Sequence, residues 1–224
     1  MKNFAIAALA AFASVTSANA AFVPVPSAVS FTSLQEWQSA PSDPDLNLFP
    51  GATASFYTEN FNGAASTGNA SLSGGAGWAA WTATASSGSL TSWGSSISAA
   101  SVGASVNFSF TPPISLPLGG VRGIGGGFGF VDSLGQFVAG KIWLKLSSGD
   151  SIVQTISTPD SFVGFWVTDP SQVITSITVQ PLGTAAASFF VNADTMYMGT
   201  VPAPGALALL GVSGLMVVGQ RRRS

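Results

Sequence analysis

Lys141-Ile142-Trp143-Leu144-Lys145-Leu146 alternates without a break: Ile142, Leu144 and Leu146 fall on one side of the chain, and Lys141, Trp143 and Lys145 on the other. Strict alternation is the signature of a half-buried strand in an antiparallel sheet, with one face on a core and one in water. Ser105-Val106-Asn107-Phe108-Ser109-Phe110 repeats the pattern, its apolar set at 106, 108 and 110. Working outward, further strands are predicted at 54–61, 94–102, 121–131, 151–157, 162–168, 173–180 and 188–198. Turn chemistry separates them at Asp132-Ser133-Leu134-Gly135, Ser148-Gly149-Asp150, Thr158-Pro159-Asp160 and Asp169-Pro170-Ser171. Short strands at this spacing predict an all-β fold, an antiparallel β-sandwich or jelly roll, as a single domain over residues 21–200 with its packed part from about 28.

One short helix interrupts the pattern. Phe31, Leu34 and Trp37 recur at helical spacing, and Ser33 with Glu36 forms a Ser-x-x-Glu capping box. The spacing predicts a helix over 33–40, ended by Pro41. Before it, Phe22-Val23-Pro24-Val25-Pro26 reads as extended chain, because each residue ahead of a proline is pushed out of helical geometry. Residues 63–104 are rich in Gly, Ala and Ser. Trp78, Trp81 and Trp93 within them are costly to leave in water, so strands and loops with small side chains are expected there.

The two ends carry a different message. Met1-Lys2-Asn3, an apolar run from Phe4 to Val15 and Ser17-Ala18-Asn19-Ala20 are the parts of a secretory signal cleaved between Ala20 and Ala21 by signal peptidase. At the far end, Val201-Pro202-Ala203-Pro204-Gly205 leads into an uncharged stretch that closes with Arg221-Arg222-Arg223. A transmembrane helix is expected over about 204–220, at the short edge of what a hydrocarbon core of ~30 Å requires. The arginines orient it with its C-terminus in the cytoplasm. Both ends then place the middle of the chain outside the cytoplasm.

Without those ends, Arg122, Lys141 and Lys145 stand against all nine acidic residues, a net charge of −6. Such a balance excludes the electrostatic footprint of a nucleic-acid binder. The 224-residue chain has no cysteine and no histidine. No disulfide staples the exported domain, so its stability rests on its core, and Ser/His/Asp and Cys/His catalysis are ruled out.

The proline motif, apolar helix and terminal arginine cluster resemble the PEP-CTERM sorting signal of Gram-negative-type bacteria, with Pro202-Ala203-Pro204 in place of Pro-Glu-Pro. The resemblance implies processing near Val201–Pro204 by a membrane-embedded exosortase. It also implies a destination in the cell envelope, on the cell surface or in the extracellular matrix. The helix at Phe31–Ala40 followed by Tyr57-Thr58-Glu59-Asn60-Phe61-Asn62-Gly63 is similar to the N-terminal part of many β-sandwich proteins of that group. So are Val121-Arg122-Gly123-Ile124-Gly125-Gly126-Gly127-Phe128, Phe162-Val163-Gly164-Phe165, Ile174-Thr175-Ser176-Ile177 and a final strand carrying Asp194. Those proteins imply a location and a fold rather than a reaction.

Five constellations bear on chemistry. Lys141 and Lys145 as partners of a nucleophilic serine are outweighed by their place on a polar strand face. A carboxylate pair for glycoside hydrolysis is disfavoured because Asp43, Asp132, Asp150, Asp160 and Asp169 lie in predicted turns. The glycine run 123–129 is followed by strand and not by the helix that a phosphate loop needs, so close sheet packing or a bulge is the better reading. A structural calcium is the cofactor considered. Glu59 and Asp194 are its ligand pair, on strands expected to be neighbours, with Asp194 placed on the same side of its strand as Phe190 and Met196. Asp43 and Asp45 form a second pair. Trp78, Trp81, Trp93 and above all Trp143, on the lysine face, are candidates for a sugar-stacking platform. The function that the PEP-CTERM resemblance implies is a non-enzymatic structural or adhesive role in exopolysaccharide or biofilm. The alternative is a carbohydrate-binding module, calcium-stabilised, that takes glycan on Trp143 or on the Trp78–Trp93 region.

Overall fold

The computed structural model describes residues 27–201 apart from 63–66, 94–95, 112–118, 133, 135, 159–160 and 183–189. The signal segment, the 204–220 helix and the terminal arginines lie outside the described residues, as do Ala20, Ala21, Pro202, Ala203 and Pro204. Among the described residues no helix is long and apolar enough to cross a membrane. The strands are β1 (Ala28–Phe31), β2 (Ser55–Glu59), β3 (Thr67–Asn69), β4 (Ser71–Gly74), β5 (Trp81–Ala85), β6 (Leu90–Trp93) and β7 (Ser96–Ala99). They continue as β8 (Val106–Phe110), β9 (Gly123–Val131), β10 (Gly140–Leu146), β11 (Ser151–Ile156), β12 (Phe162–Val167), β13 (Ile174–Pro181) and β14 (Phe190–Thr200). The helix α1 spans Leu34–Ser39.

These strands form two antiparallel sheets. The eight-stranded sheet runs β1-β12-β9-β14-β7-β6-β3, with β2 also on β14; the six-stranded sheet runs β11-β10-β13-β8-β5-β4. Their inner faces share one hydrophobic core. Ile142, Leu144, Phe108, Ile177 and Val179 enter it from one sheet, and Ile124, Phe128, Phe165, Met196 and Met198 from the other. Full burial of each large apolar side chain contributes roughly 1.5–3 kcal/mol. The predicted alternation of β8 and β10 is the observed one, with Ile142, Leu144 and Leu146 buried and Trp143 and Lys145 exposed.

Helix α1 forms as its capping signal requires: the Ser33 hydroxyl accepts from the Glu36 N–H at 3.1 Å, and Pro41 ends the helix in a 3₁₀ turn. It packs on the outer face of the eight-stranded sheet. There Trp37 stacks on Trp166, ring centroids 5.5 Å from Phe56 and 5.3 Å from Trp166. The Trp37 indole N–H donates to the Phe165 carbonyl at 3.1 Å, and the Trp166 indole N–H donates to the Trp37 carbonyl at 2.8 Å. Glycines floor this aromatic layer. A Cβ on Gly164 would lie 2.5 Å from the Trp37 ring, and one on Gly199 would overlap the Trp166 ring. Within the 123–129 run, Gly123 and Gly125 serve the same close packing, beneath Trp166 and Phe162.

In two stretches the structure adds to the sequence reading. Ala28–Phe31, to which the sequence reading assigns no element, is strand β1, with Phe31 paired to Gly164. Within 63–104, four further strands form from Ser, Ala and Thr-rich sequence. β4 and β5 extend the six-stranded sheet, and β3 and β6 end the eight-stranded one.

Strand β14 organises the larger sheet. One of its edges pairs with β9 throughout; along the other, β7 takes Asn192–Asp194 and β2 takes Met196–Thr200. The handover falls at a bulge at Thr195, whose φ is +36°. Near its end, Arg122 is buried without a carboxylate partner among the described residues. Its guanidinium donates to the carbonyls of Pro170, at 3.0 Å, and of Val201, and burial holds its pKa below the ordinary arginine value. Val201 itself is buried, so of the expected processing positions this one belongs to the packed domain.

Candidate functional site

The outer face of the six-stranded sheet is polar in ordered rows set by strand register. One row reads Val153, Trp143, Thr178, Asn107 and Thr84 across β11, β10, β13, β8 and β5. The next reads Ser151, Lys145, Ser176, Ser109 and Thr82. Lys141 stands in a third row between Thr155 and Gln180. Hydrogen bonds fix parts of this surface: the Asn107 amide donates to the Thr178 hydroxyl at 2.7 Å, and the Ser73 and Thr82 hydroxyls lie 3.0 Å apart.

Among the described residues Trp143 is the one large ring on that face. It is 41% exposed, and its cross-strand partner Val153 is 42% exposed. Side chains directly opposite across an antiparallel pair have Cβ atoms about 4.5–5.5 Å apart, so ring and isopropyl group make one continuous apolar patch. Beside the patch lies a shallow groove of about 440 Å³ lined by Asn107, Trp143, Lys145, Ser176, Thr178 and Gln180 among others. Hydroxyl, amide and ammonium groups around an exposed indole supply what a polar, flat-faced ligand needs: an apolar plane to lie on and hydrogen bonds at its rim.

The other tryptophans are placed elsewhere. Trp81 is 3% exposed and points into the core, and Trp37 and Trp166 are fully buried. Trp78 is half-buried and packed against the core. The side chain of Trp93 lies outside what is described. Of the platform candidates, Trp143 is the one described residue with its ring in solvent.

Glu59 and Asp194 are on neighbouring strands, as expected, but they do not share a face. Glu59 lies opposite the buried Met196. Asp194, opposite Ser96 and Gly127, is exposed. The two-residue count that placed Asp194 beside Met196 fails because the bulge at Thr195 inserts a residue between them and reverses the alternation. Each carboxylate has protein partners instead. Asp194 accepts from the Thr195 hydroxyl at 3.1 Å. Glu59 accepts from the Phe61 N–H at 2.9 Å, the Trp81 indole at 2.9 Å and the Tyr57 hydroxyl at 3.2 Å. Glu59 thereby ties β2 in one sheet to β5 in the other. Burial, and then the neighbouring Glu59 charge and hydrogen bond, push the Tyr57 phenol above its ordinary pKa. Sequence reading missed this clasp, since Trp81 is distant in the chain and only the fold brings it to Glu59.

The turn aspartates are used locally, as their positions implied. Asp43 accepts from the Asp45 N–H, and Asp132 from the N–H groups of Leu134 and Gln136. Asp169 accepts from the Ser171 hydroxyl and N–H, which hold its carboxyl below the usual range. Asp150 and Asp169 line one depression of about 320 Å³ with Ser27 and Gln172, and Asp150 there accepts from Ser27 and Ser148. Among the described residues no three His, Cys, Asp or Glu side chains gather as a metal site would require.

No family model matches this sequence, and no curated protein does either. Two solved structures show distant likeness. The enzymatically active domain of tailspike protein 4 from bacteriophage CBA120 is 14% identical, with a TM-score of 0.26 over 74% of this chain, which spans only 21% of that one. The family 11 carbohydrate-binding module of a cellulosomal cellulase of Clostridium thermocellum is 12% identical, with a TM-score of 0.23 over 80% of this chain and 91% of that one. Likenesses of this size decide neither fold nor function here.

The Glu59 clasp and the exposed Asp194 predict opposite responses to truncation. Glu59→Ala leaves the Trp81 indole without its acceptor and is expected to lower unfolding free energy by about 1–3 kcal/mol. Asp194→Ala is expected to stay within about 0.5 kcal/mol of the parent. Urea unfolding of both variants, with and without calcium, checks this. A calcium-dependent stability that both substitutions remove would restore the pair as a metal site.

Proposed function

We propose that this chain is an exported, non-enzymatic surface or matrix protein whose β-sandwich domain holds glycan on the outer face of its six-stranded sheet. The observation that carries the binding half is Trp143. A large indole, 41% exposed on the second strand of a polar sheet face, is maintained at a cost in water that a ligand stacked on it would remove. Its surroundings of Thr, Ser, Asn, Gln and Lys side chains suit a polyhydroxylated partner. This reading joins the structural, adhesive role in exopolysaccharide with the carbohydrate-binding one: the sheet face is the means of adhesion. The lack of histidine and cysteine, and the engagement of Asp43, Asp132 and Asp169 in their own loops, support a role in binding over turnover.

The export half rests on the sequence of the two ends. A signal segment closing at Ala20 and a PEP-CTERM-like tail after Val201 propose signal peptidase and exosortase as processing partners and the cell envelope, surface or matrix as the destination. The buried Val201, held by Arg122, supports a boundary between packed domain and tail at this point.

Two measurements test the halves separately. Binding to an array of immobilised polysaccharides is expected to fall about tenfold or more in Trp143→Ala, while the urea midpoint of this surface variant stays near the parent's. Unchanged binding would remove the sheet face from the account. Mass spectrometry of the protein from its host is expected to show a mature chain beginning at Ala21 and lacking residues from about Pro204 onward. A chain intact through Ser224 would make it a membrane-anchored domain instead.

A further inference from the structure

The same face carries a charge pattern that says more about the ligand. Between the two predicted terminal segments the chain has three cations against nine carboxylates. Arg122 is buried, so Lys141 and Lys145 are the solvent-reaching cations of the described domain. Both belong to β10, two residues before and two residues after Trp143, with side chains on its face. At about 3.3 Å per residue they stand roughly 13 Å apart with the indole midway.

Their surroundings leave these charges unanswered by neighbours in the sheet. The cross-strand partners of Lys141 are Thr155 and Gln180, and those of Lys145 are Ser151 and Ser176. No carboxylate lines the groove beside Trp143. The nearest acidic residue in sequence, Asp150 in the hairpin turn, directs one carboxylate oxygen to the hydroxyls of Ser27 and Ser148. Glu59 is turned toward the core side of the other sheet, and Asp194 lies on the outer side of that sheet. An acidic domain that sets its exposed ammonium groups on both sides of its exposed indole creates a local positive field on a negative body. Such a field attracts anions and orients them along β10.

We infer that the ligand of this face is an acidic polysaccharide, its sugar ring lying on Trp143 and its anionic substituents, carboxylate or sulfate, meeting Lys141 and Lys145. The inference rests on the glycan-binding reading above and adds the ligand's charge to it. Exposed lysine–anion contacts are individually weak and screened by salt, so useful affinity comes from a polymer engaging several copies of the domain at once.

The test uses the domain as processed, immobilised alginate as the carboxylated probe, dextran sulfate as the sulfated one and unmodified dextran as the neutral one. Expected is binding to one of the acidic polymers at least about fivefold tighter than to dextran, weakened severalfold as ionic strength rises from about 0.02 M to about 0.3 M. The double variant Lys141→Gln/Lys145→Gln is expected to lose about tenfold on that polymer and to change little on dextran. Trp143→Ala is expected to lose binding to all three. Which acidic polymer is preferred separates carboxylate from sulfate recognition. Equal binding to dextran, or acidic binding that neither salt nor the lysine variant weakens, overturns the inference and leaves the glycan reading standing. Acidic binding that survives Trp143→Ala overturns it as well, since charge alone would then explain it. Failure of the parent to bind any polysaccharide overturns both, as does a dimer in sedimentation that Trp143→Ala dissolves, which would make the face a contact between copies.

Discussion

The stacked pair Trp37 and Trp166 fixes which faces of this molecule are closed and which is open. Two indoles, each donating its N–H to a main-chain carbonyl beside the other ring, bind α1 to the centre of the eight-stranded sheet. Buried indoles without acceptors would cost the desolvation of two donors; here both are satisfied, and the rings add aromatic packing to their area. The geometry depends on residues with no side chain beneath the rings. At Gly164 and Gly199 the sheet surface is bare backbone, and any Cβ would push the indoles off it. With α1 in place, Phe162, Tyr197, Phe56 and Phe49 gather around the pair and cover the β1–β12–β9–β14 part of that sheet.

The asymmetry of the two outer faces follows. One sheet puts aromatic side chains outward and packs them against a helix, which buries Trp37 and Trp166 while Phe56 stays 43% exposed. The other puts Ser, Thr, Asn and Lys outward and leaves a single indole uncovered beside Val153. Between the sheets, the Glu59 carboxylate joins the edge strand β2 to Trp81 of β5, and Arg122 secures the end of β14 through the Val201 carbonyl. The interior is thus held by satisfied polar anchors at two edges, with a continuous apolar core between them. A rigid sheet is a good base for a binding face, because side chains on strands stand in fixed rows and little ordering is needed when a ligand arrives.

Much of this was legible in the sequence because period two is a strong signal where one face is wet. β8 and β10 alternate cleanly, and the place of Trp143 among the lysines follows from alternation alone. The Ser33–Glu36 cap and Pro41 bounded α1 from both ends. The glycine run was readable as close packing, although which rings it receives required the fold. Other features left no mark. Ala28–Phe31 is too short to display alternation, and Phe31 also fits the helical spacing of the residues after it. The bulge at Thr195 carries no glycine to flag it, so counting by twos put Asp194 on the face of Met196. The pairing of Trp143 with Val153 and the meeting of Glu59 with Trp81 are matters of register and of sheet-on-sheet contact, which no local pattern encodes.

The claim on which the account turns is that ligand meets the protein on the outer rows of β10, β11 and β13. Amide hydrogen exchange of the domain, followed with and without saturating polysaccharide, tests it most directly. The account predicts slowed exchange concentrated in 141–145, 151–155 and 176–180, with β2, β14 and α1 unchanged. Protection centred on α1 and β14, or on the turns around Asp43 and Asp169, would contradict it and move the binding site away from Trp143.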